Sequence, residues 1–275
     1  MLADVVRWVK ASYPYAVLRR FLDLELLDRS FGLAAQVFVA LLPLVIVVVA
    51  VFASDNSQLI AEQAIERFGL VGAADAAVRT LLTPPGGARA LSWLAVVLVV
   101  LSAFALARRI SRVYGSIFGL PSLARSELWR GIVWIALQLA LFIAASFLRD
   151  LNRQFGVIVS ALAIAALLLV WFFGDMAGYR LLVPTVPRNL LIPTAIASTV
   201  GRIGVGVWAT LYMPGTLSEQ AEQFGPIGIT FSLFTLMLVA VVVNLAAPVI
   251  VTVWDERRRG LAPRVAIPEG GSALE

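Results

Sequence analysis

Two long apolar runs joined by a short polar break constrain the fold of this chain most strongly. The runs cover residues 156–173 and 190–213, and the break between them holds two prolines and three charged residues. An α-helix crosses a bilayer with roughly 20 residues at ~1.5 Å each, so each run is long enough to span it. The break is too short to form a domain and must turn the chain back. The pattern predicts a transmembrane hairpin.

The composition of the whole chain leads to the same class of protein. Of its 275 residues, 60% are hydrophobic and 14% are charged, whereas soluble domains carry about 25% charged residues. A soluble fold of this length would have too little polar surface to cover its core. The excess apolar side chains therefore belong to a lipid-facing surface. The predicted fold class is all-α, a polytopic membrane protein.

The sequence lacks the residues of common catalytic and metal sites. Cysteine and histidine are both absent. This excludes a disulfide framework, the usual zinc and haem ligand sets, and a histidine-based triad or general base. The sequence also holds neither a glycine-rich phosphate loop followed by lysine nor paired carboxylates on a common wet face. We accordingly predict no enzymatic activity, no cofactor and no metal.

Six apolar stretches have the length of a membrane span. They cover residues 31–53, 90–107, 132–148, 156–173, 190–213 and 227–254. Together they predict one six-span membrane domain at 31–254. An N-terminal arm at 1–30 precedes it, and a polar tail at 255–275, rich in proline and glycine, follows it and is expected to be disordered.

Two polar segments flank the spans with amphipathic patterns. The N-terminal arm has helical periodicity between Tyr15 and Arg29, with Pro14 at the start, where a helix tolerates proline. This helix either lies flat in the inner membrane interface or packs beneath the bundle. Residues 54–89 predict one or two short amphipathic helices on the outer surface, which form either a simple connection or a lid.

The basic residues determine the predicted orientation. Six spans place both termini on one side, and that side carries sixteen of the lysines and arginines, against five on the other. Because short loops rich in these residues stay in the cytoplasm, we expect both termini there. The arginines line the membrane boundaries, where they meet lipid phosphates. The net charge of +5 is therefore no sign of a nucleic-acid partner.

One positive charge lies inside a predicted span. Arg202 is about twelve residues from the start of its span, roughly 18 Å deep, where an arginine costs roughly 2.5–3.5 kcal/mol to insert. The helix face around it is small and polar, which suits close helix contact or a hydrated cavity better than lipid. The members of that face are Ala195, Ser198, Thr199, Gly206 and Ala209.

We interpret Arg202 as the centre of a cationic, partly hydrated cavity that accepts an anionic headgroup. Asn244 lies at a similar depth in the sixth span, and Asp175 and Arg180 lie at the inner mouth of the cavity. The predicted lining is Arg202, Asn244, Asp175, Arg180, Ser198 and Thr199. The alternative is a structural contact of Arg202, with Asp175 or with a backbone carbonyl, that fixes helix packing.

Four stretches carry a family resemblance, in chain order. They read FGLAAQVFVALLPLVIV, ALARRISRVYGSIFG, GYRLLVPTVPRNLLIPTAIASTVG and FGPIGITFSLFTLMLVAVVVNL. Over most of residues 30–255 the chain resembles the YihY/BrkB family of integral membrane proteins, once mislabelled ribonuclease BN. The chain departs from the family's pattern at Thr194, where glycine is usual. It departs again at Leu245-Ala246-Ala247, where a Gly-Ala-Glu-like triplet is frequent.

The resemblance implies a six-span protein of the bacterial inner membrane, in a family for which movement of lipids or glycolipids has been suggested. Together with Arg202, it favours transport or handling of an amphipathic anion such as a lipid. The expected partners are membrane lipids. The alternative function is a non-transporting scaffold or an envelope-integrity factor.

Overall fold

The computed structural model describes residues 12–52, 62, 65–66, 75–76, 79, 88–124, 127, 129–154 and 157–260. The regular structure in those ranges is helical and comprises seven α-helices. They are α1 (Tyr13–Asp23), α2 (Leu26–Phe52), α3 (Ala88–Phe118), α4 (Trp129–Gln154), α5 (Val157–Leu182), α6 (Arg188–Phe224) and α7 (Pro226–Arg258). The predicted all-α class is confirmed for this part of the chain.

Three helical segments in the described ranges are long and apolar enough to cross a membrane. They are Ala161–Leu182 of α5, Arg188–Phe224 of α6 and Ile227–Arg258 of α7. A shorter apolar stretch, Trp129–Leu141, belongs to α4. The protein is therefore membrane-embedded. The described residues of all six predicted spans are helical, and crossing of the membrane by all six stays a prediction.

The turn between α5 and α6 is shorter than the sequence predicted. α5 continues to Leu182, so only residues 183–187 connect the two helices. Residues 174–182 contain no proline, whereas Pro184 disfavours helical backbone at the residue before it. Asp175 and Arg180 therefore lie in the last turns of α5 and not in a polar break.

α6 is also longer than its predicted span. It runs to Phe224, eleven residues beyond Met213. Leu217 and Ala221, four residues apart, continue its buried face. Gly225 then turns the chain with a φ of +61°, which glycine adopts without strain. Pro226 opens α7 at the first helical position, where its missing N–H is not needed.

The described part of the N-terminal arm contains α1 and the start of α2, with a break between them. The Ser12 hydroxyl caps α1 by accepting a hydrogen bond from the Tyr15 N–H at 3.4 Å. α1 ends at Asp23, and Glu25 takes a φ of 52° before α2 begins at Leu26. Residues 1–11 and 261–275 lie outside the described residues. The predicted tail start at 255 belongs instead to the last turn of α7.

The chain forms two compact units. The first unit comprises the residues up to Ser30, then Ala107–Gly201 and the residues from Val242 on. The second unit comprises Phe31–Leu106 and Arg202–Val241. The largest fully buried apolar side chains of the first unit are Leu24, Leu26, Ile117, Phe118, Leu182, Val183, Leu190, Leu245 and Val249.

A tight approach of α4 and α5 shapes part of the first unit. Gly174 and Gly178 lie one turn apart on α5. A Cβ on Gly174 would overlap the Leu141 side chain, and one on Gly178 would lie 3.3 Å from Trp134 Nε1. Small residues at this spacing allow two membrane helices to approach closely.

The second unit is organised around apolar side chains. Met213, Leu217 and Ala221 of α6 are buried together, and the half-buried residues packed on them are Ile65, Trp208, Ala209, Ile229 and Leu236. Ile65 belongs to the predicted outer segment, in which the described residues are helical, and its neighbours Glu62 and Glu66 are exposed. These three residues follow the predicted amphipathic pattern. Apart from residues 62, 65–66, 75–76 and 79, residues 54–87 lie outside the described part of the chain.

Candidate functional site

Two hydrogen-bonded pairs connect four helices inside the first unit. The Tyr114 hydroxyl of α3 donates to Asn244 Oδ1 of α7. The Tyr179 hydroxyl of α5 and the Ser198 hydroxyl of α6 share a hydrogen bond of 2.7 Å. The two tyrosine rings lie 4.8 Å apart, centroid to centroid, with a tilt of 50°. We name these four residues the polar cluster.

The last turns of α3 place Tyr114 in this cluster. Gly119 follows the helix with a φ of 64°, and the Leu120 N–H donates to the Gly115 carbonyl at 2.9 Å, which satisfies an orphan carbonyl of the last turn. Phe118, one turn beyond Tyr114, packs edge-on against the Tyr179 ring at 6.2 Å. The end of α3 is therefore fixed, and with it the direction of the Tyr114 side chain.

A buried serine ties the ends of α3 and α5 together. The Ser111 hydroxyl donates to the Leu182 carbonyl at 2.7 Å and accepts from the Leu123 N–H at 2.9 Å. Leu182 is the last residue of α5, so its carbonyl has no partner within its own helix. Ser111 supplies that partner and holds the short turn into α6.

The structure buries three of the predicted cavity residues: Asp175, Ser198 and Thr199. Asp175 precedes Tyr179 by four residues and shares its face of α5. Thr199 donates to the Ala195 carbonyl of its own helix at 2.9 Å. Ser198 and the half-buried Asn244 are both members of the polar cluster.

The two arginines of the predicted cavity differ in exposure. Arg180 is exposed on α5, unlike the buried Asp175 of the same helix. Arg202 is half-buried and follows Ser198 by four residues in α6, where it begins the second unit's part of that helix. The predicted association of Arg202 with Asn244 and Asp175 stays a prediction.

Tyr114 and Tyr179 are site residues that the sequence analysis missed. Both lie beyond the predicted ends of their spans, next to arginines that mark a membrane boundary. A buried tyrosine needs a partner for its hydroxyl, so a tyrosine on a helical face with other polar residues is a usable signal. Asp175, one turn before Tyr179, provides that signal in α5.

A second set of polar contacts joins α1 to the end of α7. The Tyr13 hydroxyl donates to the Ile250 carbonyl at 2.6 Å, and Arg257 Nη2 donates to the Ser12 carbonyl at 2.8 Å. The Arg257 guanidinium also lies 5.7 Å from the centre of the Tyr13 ring. Burial raises the pKa of Tyr13, and the positive charge of Arg257 lowers it in part.

A buried ion pair lies at the same junction. Arg20 Nη2 of α1 lies 3.9 Å from Glu256 Oε1 of α7, and their side chains are 9% and 7% exposed. Next to it, Arg259 Nε donates to Asp255 Oδ1 at 2.9 Å. Opposite charges that leave water together require each other. Helix α1 is thus anchored on α7.

This anchoring shows that α1 packs on the bundle, one of the two readings of its sequence. The other face of α1 exposes Leu18 and Leu22, four residues apart, at 56% and 52%. That apolar stripe, beside the exposed Arg19, has the composition of a helix at a membrane interface. Contact of this face with lipid headgroups stays a prediction.

The polar cluster offers neutral donors and acceptors near one buried carboxylate. Among the described residues, no group of three or more histidine, cysteine or acidic side chains is placed to hold a metal ion. Hydroxyl and amide groups of this kind either fix the register of packed membrane helices or contact a polar headgroup.

Comparison with family models, curated proteins and solved structures gives no match to this chain.

Proposed function

We propose that the chain is a six-span protein of the bacterial cytoplasmic membrane, with both termini in the cytoplasm, that moves or handles an amphipathic anion such as a lipid or glycolipid. The observation that carries the proposal is the placement of Arg202 in α6. This residue is half-buried in a helix that is long and apolar enough to cross the membrane.

The exposed side chains of α6 indicate the side of the helix on which Arg202 lies. A stripe of large apolar residues is exposed at spacings of three and four, as expected for a lipid-facing surface. Its members are Ile196, Val200, Ile203, Val207 and Leu211. At 100° per residue, Arg202 lies on the opposite side of the helix from the middle of this stripe. This arrangement supports a guanidinium on the face directed away from lipid.

A positive charge on that face has two uses in a membrane protein. Intramembrane ionisable residues are costly and mark substrate pathways or structural pairs. The neighbours of Arg202 on this face are small or polar, which suits close helix contact or a hydrated cavity better than lipid. The resemblance to the YihY/BrkB family adds the suggestion of lipid or glycolipid movement.

Lipid movement in reconstituted vesicles tests the proposal. Liposomes containing the protein receive a labelled anionic lipid, and its transfer between leaflets is followed by quenching from outside. We expect Arg202→Leu to slow the transfer by about tenfold or more, because a lost charge-assisted hydrogen bond contributes about 1.5–3 kcal/mol. Arg188→Leu, at the exposed start of α6, is the matched control and should transfer lipid at the wild-type rate. Equal rates for wild type and Arg202→Leu reject the proposal.

The second candidate function is a non-transporting scaffold or envelope-integrity factor. The observation that favours it is the internal pairing of the polar cluster: Tyr114 with Asn244, and Tyr179 with Ser198. Groups that satisfy one another fix helix positions without a ligand. A scaffold predicts no protein-dependent lipid transfer at all, while Tyr114→Phe and Tyr179→Phe lower stability and weaken the envelope.

A further inference from the structure

An apolar groove runs along the outside of the tight α4–α5 contact. It is a shallow, open depression of about 370 Å³, lined by Leu137, Leu141, Leu169, Val170, Phe173 and Gly174. Gly174 is what lets Leu141 lie this close to α5. Leu169 and Phe173 are exposed and form its open edge. The groove is therefore a depression in a surface that faces lipid.

Two arginines lie beyond one end of the groove, on the faces of α4 and α5 that line it. Arg130 precedes Leu137 by seven residues on α4, and Arg180 follows Phe173 by seven residues on α5. Residues seven apart share one side of an α-helix, about 10 Å along its axis. Because α4 and α5 are antiparallel neighbours, with Trp134 packed on Gly178 between groove and arginines, both charges lie beyond the same end of the groove.

Arg130 is partly engaged and partly available. Its Nη2 lies 3.2 Å from Glu127 Oε1, and its guanidinium lies 5.5 Å from the centre of the Trp129 ring. Its Nε is buried, and the side chain as a whole is 27% exposed. The Arg180 side chain is exposed. Guanidinium groups that reach the surface suit a phosphate, which accepts several hydrogen bonds at once.

The apolar groove by itself selects no ligand, because lipid tails are as apolar as the side chains that line it. Selectivity must come from the charged end. Basic pockets between membrane helices on the cytoplasmic side bind anionic headgroups, and the proposed topology places Arg130 and Arg180 on that side. We propose that this groove holds one acyl chain of an anionic phospholipid, with the lipid phosphate bound between Arg130 and Arg180.

This lipid site goes beyond the proposed function and takes from it only the membrane topology. It also gives Arg180 a role on the exposed face of α5, in place of the inner mouth of the Arg202 cavity. Binding at equilibrium is its readout. Loss of lipid transfer in Arg202→Leu neither supports nor weakens it.

Lipid retention on the full-length protein tests the site. The protein is purified in a neutral detergent, exposed to phosphatidylglycerol or to phosphatidylcholine of the same chain length, and bound lipid is counted by native mass spectrometry. We expect phosphatidylglycerol to be retained about tenfold better than phosphatidylcholine, since each arginine near the headgroup contributes severalfold. The double variant Arg130→Gln/Arg180→Gln should reduce phosphatidylglycerol to the phosphatidylcholine level.

Two further variants separate the site from general charge and from folding. Arg108→Gln/Arg112→Gln removes two exposed arginines of α3 and should retain phosphatidylglycerol like wild type. Arg180→Gln alone changes an exposed side chain and should lower the amount of retained phosphatidylglycerol severalfold. Leu137→Trp fills the groove and should lower retention of both lipids. The proposal fails if the two double variants behave alike, if Leu137→Trp retains lipid normally, or if soluble glycerol phosphate displaces the bound lipid.

Discussion

The contacts inside the first unit of the chain differ in kind from those inside the second. Ten of the eleven polar or charged residues that are buried in the described part belong to the first unit, and Ser232 alone belongs to the second. Hydrogen bonds between distant residues cross the first unit at Tyr114, Tyr179 and Ser111. The second unit is packed instead on Met213, Leu217 and their apolar neighbours.

This difference matters because the surroundings are lipid. Apolar side chains gain little by moving from lipid into a helix interface, so apolar packing specifies helix positions weakly. Polar contacts between helices specify register, since any slip leaves a donor or acceptor unpaired. We therefore interpret the first unit as a frame of fixed geometry and the second as the part that tolerates change. Substitutions in the two units should differ accordingly.

The largest effect is expected at the junction of α1 and α7. Glu256→Ala leaves Arg20 buried without its opposite charge, which should lower the free energy of unfolding by about 3–5 kcal/mol. The matched control is Asp23→Ala, which breaks the exposed Arg19–Asp23 pair of 3.7 Å on the same helix. That pair should contribute less than about 1 kcal/mol. Denaturant unfolding in detergent measures both, and similar losses for the two variants would contradict the contrast.

The next effect compares one glycine from each unit. Gly174→Ala drives its new methyl group into Leu141 and should cost about 1–3 kcal/mol of stability. Gly204→Ala in the second unit meets nothing within 4 Å. It should stabilise α6 by up to about 1 kcal/mol, because alanine is the better helix former. Thermal unfolding of both variants measures the two effects. A destabilised Gly204→Ala would contradict the expected difference between the two units.

A smaller effect is expected within the polar cluster. A double-mutant cycle with Tyr114→Phe and Asn244→Ala should give a coupling of about 0.6–1.7 kcal/mol, the range for hydrogen bonds between membrane helices. Thr210→Val in the second unit is the comparison, because Thr210 is exposed and donates only to the Gly206 carbonyl of its own helix. That change should be nearly neutral. A coupling of zero would mean that the Tyr114–Asn244 contact does not fix the first unit.

The smallest effect concerns pH at the α1 junction. The Tyr13 hydroxyl must keep its proton to donate to Ile250, and burial raises its pKa above the usual value of 10.0. Its contribution is therefore fully present below pH 10 and is lost as pH rises through the raised pKa. Wild type should lose slightly more stability than Tyr13→Phe between pH 9 and about pH 12. Parallel curves for the two proteins would exclude this role.

The sequence predicted the positions of the helices better than the side-chain contacts between them. The described residues of every predicted span are helical, and three of the helical segments are long and apolar enough to cross a membrane. The end of α5 was misplaced because Asp175 and Arg180 look like a loop by charge alone. Pairings such as Arg20 with Glu256 join opposite ends of the chain, and spacing along a sequence carries no information about them. Tyr114 was missed for the same reason, since its partner Asn244 lies four helices later.

The central claim, that Arg202 lies on a hydrated face of α6, can be tested with one measurement. The chain has no cysteine, so single-cysteine variants react at one position only. Arg202→Cys should react readily with a small charged thiol reagent, because a thiolate forms where water is present. Val200→Cys, on the 63% exposed apolar stripe of the same helix, should not react. If Arg202→Cys is as unreactive as Val200→Cys, the face is dry and the proposed anion pathway is wrong.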